Sequence, residues 1–271
     1  MIELMLAPAV AALLILVIHA YLGIHIIARG VIFVDLALAQ VAALGFTIAT
    51  LIGFAPGSIA AYLLSVGATL FGALLLSFSR LDHERVPQEA LIGVVYVAAS
   101  AATILLAAQS PSGSEHVEEL LTGTLLWVAW PQIGRMALIY AVAAVAHWML
   151  RRRFFTISLE PERAAAEGWK LRWWDFVFYG LFGIVVTTAV GIAGVLVVFS
   201  FLVIPAVIAF MFVSSTSRLL AVAWGVGTLS ALSGIGLSFH FDLPTGPLIV
   251  CVFAIVLAIA LTIHAARRAS T

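Results

Sequence analysis

In the stretch GIHIIARGVIFVDLALAQVAALG, residues 23–45, Asp35 and Gln40 stand alone in otherwise apolar text beyond Arg29. Ionisable groups inside a membrane segment mark routes for ions and substrates, so a carboxylate and an amide there can line a polar pathway. They can equally serve structure. An aspartate at the centre of a spanning helix costs about 2.5–3.5 kcal/mol on insertion scales. Asp35 follows Arg29 closely, so an interfacial acid, paired with a cation or capping a neighbouring helix, is the competing role for it. Gln40 lies deeper, where it lines the pathway or bonds across helices. Ala37, Ala39, Ala42, Ala43 and Gly45 allow close helix contact either way. His19, in the preceding apolar run, is a hydrogen-bonded core histidine or a further pathway group. His25 falls on a different helical face and reads as interfacial.

A second cluster carries metal-binding chemistry. SGSEHVEELLTGT places Glu115, His116, Glu118 and Glu119 together, and FHFDLPTG adds His240 and Asp242. Carboxylate and imidazole suit zinc and other transition ions. The two segments form either a transient metal antechamber or a solvated acidic rim that docks a partner, and negative charge attracts cations in both cases. Other chemistries find no support. Cys251 stands alone in an apolar run and reads as a small buried hydrophobe, without a disulfide framework. The single lysine, Lys170 in GWKL, belongs to no GxxxxGK[ST] phosphate loop, so nucleotide hydrolysis by that route is excluded. Asp35 is the only acid deep in a span, whereas proton-coupled carriers distribute several. Energy, if used, comes from a partner.

The elements that position these residues follow from composition. The chain has 271 residues, 64% hydrophobic and 10% charged, against about half and about a quarter in soluble domains. Its solvent is therefore lipid. The 13 basic and 13 acidic residues give no sign of nucleic-acid binding. A helical crossing needs roughly 20 apolar residues. Leu4–Ala28 is one, too long for a signal-peptide core. Leu36–Ser79 is split in two by Ala55-Pro56-Gly57. Pro87–Gln109 and Pro131–Leu150 follow, Phe176–Ser217 is long enough for two, and Leu219–Phe239 and Pro247–Ala266 complete the set. With the N-terminus outside, every basic residue except Arg135 falls on the cytoplasmic side, as the positive-inside rule requires. That orientation demands a tight turn within Phe176–Ser217, at Gly191-Ile192-Ala193-Gly194. Pro205 adds a kink with a mechanical role. Trp127, Trp130, Trp148, Trp173 and Trp174 sit near span ends as interfacial anchors. His83, His147 and His264 lie at or near the cytoplasmic side and read as solvated or snorkelled.

The sizeable soluble stretch is SLEPERAAAEGWKLRWWD, within the cytoplasmic segment 151–174 and just beyond it. Pro161 suits a first helical position and Gly168 the residue past a helix end. The helix between them is too short to be stable alone. It is a solvated connector or, on the sharper reading, a coupling helix whose Glu160, Pro161, Glu162, Arg163 and Gly168 fit a groove on an ATPase.

Four stretches together resemble the membrane subunits of ABC-type zinc/manganese/iron importers: GIHIIARGVIFVDLALAQVAALG, SLEPERAAAEG, GIAGVLVVFSFLVIPAVIAF and SFHFDLPTGPLIV. The likeness runs in order over nearly the whole chain. It implies a homodimer or pseudodimer of permeases, two cytoplasmic ATP-binding subunits that consume ATP, and an extracytoplasmic protein that delivers metal. In that family the second helix usually carries Asp and His four residues apart, on one face. In register with Arg29-Gly30, Leu36 and Gln40 occupy those positions. Asp35 and Gln40 are instead about 140° apart around a helix and do not form the same chelate. A chelate as cargo, or an ion bound only by the partner protein, is consistent with this departure.

The expectation is one all-α permease domain over residues 1–271, with about nine transmembrane helices (8–10), N-terminus outside and C-terminus inside, multi-pass in a prokaryotic cell (inner) membrane. It binds no cofactor of its own and breaks no bond. The rivals are a stand-alone channel or carrier, which has no need of SLEPERAAAEG, and an ABC membrane subunit for a non-metal cargo.

Overall fold

A computed structural model describes residues 2–78, 87–110 and 113–269, with the side chains of 2–4, 114 and 116 excluded. His83 and the side chain of His116 thus lie outside the described residues. Every regular element among those residues is helical: α1 (Ile2–Arg29), α2 (Val34–Leu51), α3 (Ile59–Phe78), α4 (Gln88–Ala107), α5 (Gly113–Thr122), a 3-10 turn at Leu125–Trp127, α6 (Trp130–Leu159), α7 (Pro161–Ala166), α8 (Leu171–Phe212), α9 (Thr216–Phe241) and α10 (Thr245–Ala269). Eight of these (α1 to α4, α6 and α8 to α10) are long and apolar enough to cross a membrane.

The 42-residue α8 is the centre of the bundle, touching α1, α2, α3, α5, α6, α9 and α10. Drawn straight it would run about 63 Å at 1.5 Å per residue, twice the roughly 30 Å hydrocarbon core. It does not run straight. Gly194 leaves helical conformation at φ 76°, ψ 160°. Contacts with α1 give the direction of each half: Arg29 pairs with Asp175 near the start of α8, while Gly23 lies against Leu202 and Ala206 near its end. Both ends of α8 therefore lie towards the same end of α1, and the chain doubles back at Gly194. The turn is capped by the segment after α5, where the Thr124 amide donates to the Ile192 carbonyl at 2.9 Å. Gly123 and Gly194 meet so closely that a Cβ on either would strike the other's backbone.

The first half of α8 packs on α3 through small and hydroxylated residues. Thr69 and Thr187 share a hydrogen bond at 2.9 Å, as do Tyr62 and Thr188. Gly183 faces the Thr69 methyl. Such interfaces suit lipid, where close backbone approach and interhelical hydrogen bonds replace the hydrophobic drive. The second half packs on α10 through Phe201 and Phe253.

Several expectations are corrected. Of the break residues, only Gly194 is non-helical: Gly191 stays within the helix and Pro205 is accommodated inside it. A single reversal suffices, because both halves are then long enough to return to the end of the bundle where α1 stops. The helix of the fifth span does not stop at Leu150 but continues as α6 to Leu159, through Arg151–Arg153, whose charge does not oppose helix. His147 is buried at 2% exposure, and His25 at 1%, because α6 and α8 bring an aromatic wall around both. Cys251 is exposed rather than buried, since α10 packs along one face and turns the other outward.

Candidate translocation and coupling sites

Helix α2 puts its polar residues on separate faces. Asp35 is fully buried, and neither carboxylate oxygen has a hydrogen-bond partner. It shares its helical face with Leu38, which packs against Gly72 of α3 and Gly183 of α8. The preceding basic residue in the chain, Arg29, is engaged elsewhere: it donates to Asp175. Leu36, about 100° further round the helix, lines an open apolar groove between α2 and α4 with Phe33, Gly93, Val94, Tyr96 and Val97. Gln40 is buried at 6% exposure, one turn beyond Leu36. The two positions that carry Asp and His in the resembling family thus share a face, and Asp35 is turned from it into the subunit.

The other pathway candidates do not converge with these. His19 of α1 is fully buried, its Nδ1 2.7 Å from the Ile15 carbonyl and its ring edge-on to Tyr140. Its Nε2 is buried without a hydrogen-bond partner. His240 is exposed at the far end of α9, packed on Phe241.

At the end of the bundle beside the Gly194 turn, Glu115, Glu118 and Glu119 of α5 form one wall of a cavity of about 350 Å³, and Leu243 and Pro244 after α9, with Thr245, Gly246 and Pro247 at the start of α10, form another. His240 and Asp242 do not line it; Asp242 is exposed and caps α9 in left-handed conformation at φ 53°. Among the described residues no three His, Cys, Asp or Glu side chains converge on a metal position. A second cleft at this end, of about 220 Å³, is lined by Arg135, Gln132, Glu119, Tyr62 and Thr188 among others. Its one sequence signal was Arg135, the basic residue left on the outside by the charge rule.

At the opposite end, α7 forms where Pro161 and Gly168 predict. Gly168 adopts φ 73°, and the Gly168 and Trp169 amides return to the Ala165 and Ala164 carbonyls. Helix α7 packs on α6 and Ala164 is buried, whereas Pro161, Glu162, Arg163, Ala165 and Ala166 are exposed. Arg163 donates to Glu160 at 2.9 Å and Glu167 at 3.0 Å. Those hydrogen bonds, with Glu160 the stronger influence, hold its guanidinium above its ordinary range. Arg153 braces the exit of the segment by stacking on Trp174 and Trp169, 4.5 and 5.2 Å from the ring centres.

Beneath α7 lies a polar node that sequence reading did not assemble. Arg29 donates from Nε to the Ser158 hydroxyl and from Nη1 to Asp175 Oδ1, each at 2.8 Å. Its guanidinium rests 3.9 Å over Phe178. The Ser158 hydroxyl also lies 3.1 Å from His25 Nδ1. No local signal could have shown this, since Ser158 and Asp175 are 129 and 146 residues from Arg29.

Comparison with known proteins agrees with this architecture. Over 255 residues the chain is 26% identical to the chelated iron transport system membrane protein YfeD of Yersinia pestis, covering 93% of this chain and 82% of that one. It is 27% identical over 216 residues to the manganese transport system membrane protein MntC of Listeria innocua, covering 76% and 75%. Its fold matches PsaBC from Streptococcus pneumoniae, solved in complex with a Fab, with a TM-score of 0.79 at 18% identity over 95% of this chain and 90% of that one. A metal-chelate type ABC transporter in an inward-facing conformation gives 0.72 at 19% identity, covering 95% and 85%. The sequence model of the ABC 3 transport family matches residues 1–264, and the chain belongs to that family.

Proposed function

We propose that the chain is the permease subunit of an ATP-binding cassette importer for a divalent transition metal or its chelate, powered by a separate ATPase. Two copies assemble in a prokaryotic cell membrane. With α8 counted as two passes each copy crosses nine times, N-terminus outside and C-terminus inside. The pathway candidates are the α2 residues Asp35 and Gln40; the glutamate rim of α5 with the α9–α10 connection receives a metal-delivering protein. ATP is consumed by the partner, and this chain breaks no bond.

The observation that carries the reading is α7: a capped, exposed helix between α6 and α8, at the end of the bundle where Arg151, Arg152, Arg153 and Arg172 gather. A six-residue helix is too short to persist without something to rest on. Its outward side is charged and free to meet a groove, and a channel working alone would not require it. The iron and manganese systems among its relatives support the cargo class. Leu36 in place of a carboxylate favours a ligand that needs no paired coordination within the span, such as a chelate.

The test is uptake of manganese, zinc and chelated iron into liposomes holding the permease with or without its ATPase. ATP-dependent uptake only in the presence of the ATPase is expected. Metal flux through the permease alone would overturn the proposal.

A further inference from the structure

We infer that Arg29 is a positioning residue that clamps the two roots of α7 together and passes the displacement of α7 to the α1–α2 turn. The inference rests on the reading of α7 as the ATPase docking helix.

The two roots are close in sequence to α7 on either side. Ser158 sits in the last turn of α6, just before Pro161, and Asp175 in the first turns of α8, just after Lys170. Arg29, the final residue of α1, reaches both with different nitrogens of one rigid fork. The Arg29 and Asp175 side chains are 4% and 2% exposed. A planar guanidinium can hold two acceptors in fixed directions, which a lysine ammonium at the same place cannot. Phe178 beneath the guanidinium and His25 beside the Ser158 hydroxyl leave the group little room to swing.

The mechanical consequence follows from how α7 is attached. Among the described residues its main helix contact is α6, and Ala164 is its one buried residue, so a push on its exposed face reaches the bundle chiefly through α6 and its roots. If the roots spread, the push is dissipated. If they are tied, it is delivered to the atom that ties them, at the end of α1. Beyond Arg29 only residues 30–33 precede α2. That link is tight, with Gly30 at φ 67°, the Val31 amide bonded to the Ile26 carbonyl at 3.3 Å and the Val34 amide to the Val31 carbonyl at 3.2 Å. Helix α2, carrying Asp35, Leu36 and Gln40, therefore receives the motion with little slack.

The experiment places spin labels at Glu162→Cys on α7 and Phe33→Cys on the α1–α2 turn, both exposed positions, in a Cys251→Ser background. Label distances are measured in lipid discs, and metal transported per ATP hydrolysed is measured for the unlabelled complex with its ATPase. Arg29→Lys keeps the charge and loses the fork; Asp175→Asn keeps the shape and loses the ion pair, and serves if the first variant assembles poorly. The expected result is a narrow distance distribution in the parent and a broad one in each variant. Transport per ATP falls about tenfold, equivalent to about 1.4 kcal/mol of coupling. Equal widths in parent and variants would overturn the clamp, and broad distributions with undiminished transport per ATP would overturn its role in transmission. The distance measurement needs no transport, so a failure of the permease reading shows separately, as absence of ATP-driven uptake by the unsubstituted complex.

Discussion

Replacing Gly194 by alanine tests the chain reversal in α8, with the nearby Gly191 as an internal control. Gly194 sits at φ 76°, ψ 160°, a region that is essentially glycine-only and costs other residues about 1–3 kcal/mol. Its added Cβ would also stand 2.6 Å from the Leu121 carbonyl oxygen and the Thr122 carbonyl carbon. Those are backbone atoms, so the end of α5 must move, at about 1–3 kcal/mol for an overpacked site. Together the terms centre near roughly 4 kcal/mol, a fall in melting temperature of roughly 8–16 °C for a chain of this size. Gly191 is helical, and its added Cβ would meet only the Phe46 ring at 3.5 Å, an ordinary contact. Gly191→Ala should therefore stabilise by about 0.5–1 kcal/mol, the usual gain of alanine over glycine inside a helix. The assay is the fraction of monodisperse protein surviving graded heating in detergent, read by fluorescence-detected size exclusion. Equal shifts for the two substitutions, or none for Gly194→Ala, would refute the reversal at this residue.

Two further outcomes follow from the sites. Asp35→Val removes a fully buried carboxyl without a partner and should stabilise the protein by about 1–3 kcal/mol while lowering ATP-driven uptake; a drop in melting temperature would mean that the carboxyl is satisfied in the assembled transporter. Arg163→Glu replaces the residue that bridges Glu160 and Glu167 on α7, and should raise ATP hydrolysed per metal transported while leaving the melting temperature near the parent's; unchanged coupling, measured in the same liposomes, would remove α7 from the docking surface.

Much of this architecture is legible in the residues themselves. The apolar runs fix the spans, because lipid demands that each crossing satisfy its own backbone hydrogen bonds within one helix. Pro161 and Gly168 fix the ends of α7, and Gly194 fixes the turn in α8, since each signal acts on the backbone of its own neighbourhood. The departure at Leu36 and Gln40 is likewise visible by register alone. The helix at Gly113–Thr122 was not, because its charged sequence carries no span and its contact with the α8 turn is distant in the chain.

What the sequence leaves to tertiary structure is which faces meet. A helix that is apolar all round has no stripe to say which side is buried, so Cys251, expected inside, faces out, and His147, expected solvated, lies within. The partner of Arg29 is the sharpest case. Asp35 is its nearest following acid in the chain, yet the pairing goes to Asp175, 146 residues away. The reason is geometric: the packing of α1 on α8 brings the end of α1 beside the start of α8, while the turn at residues 30–33 carries α2 off and buries Asp35 without a hydrogen-bond partner. Local chemistry set the helices and their ends; the packing of one helix against another chose which charge would be paired and which left alone.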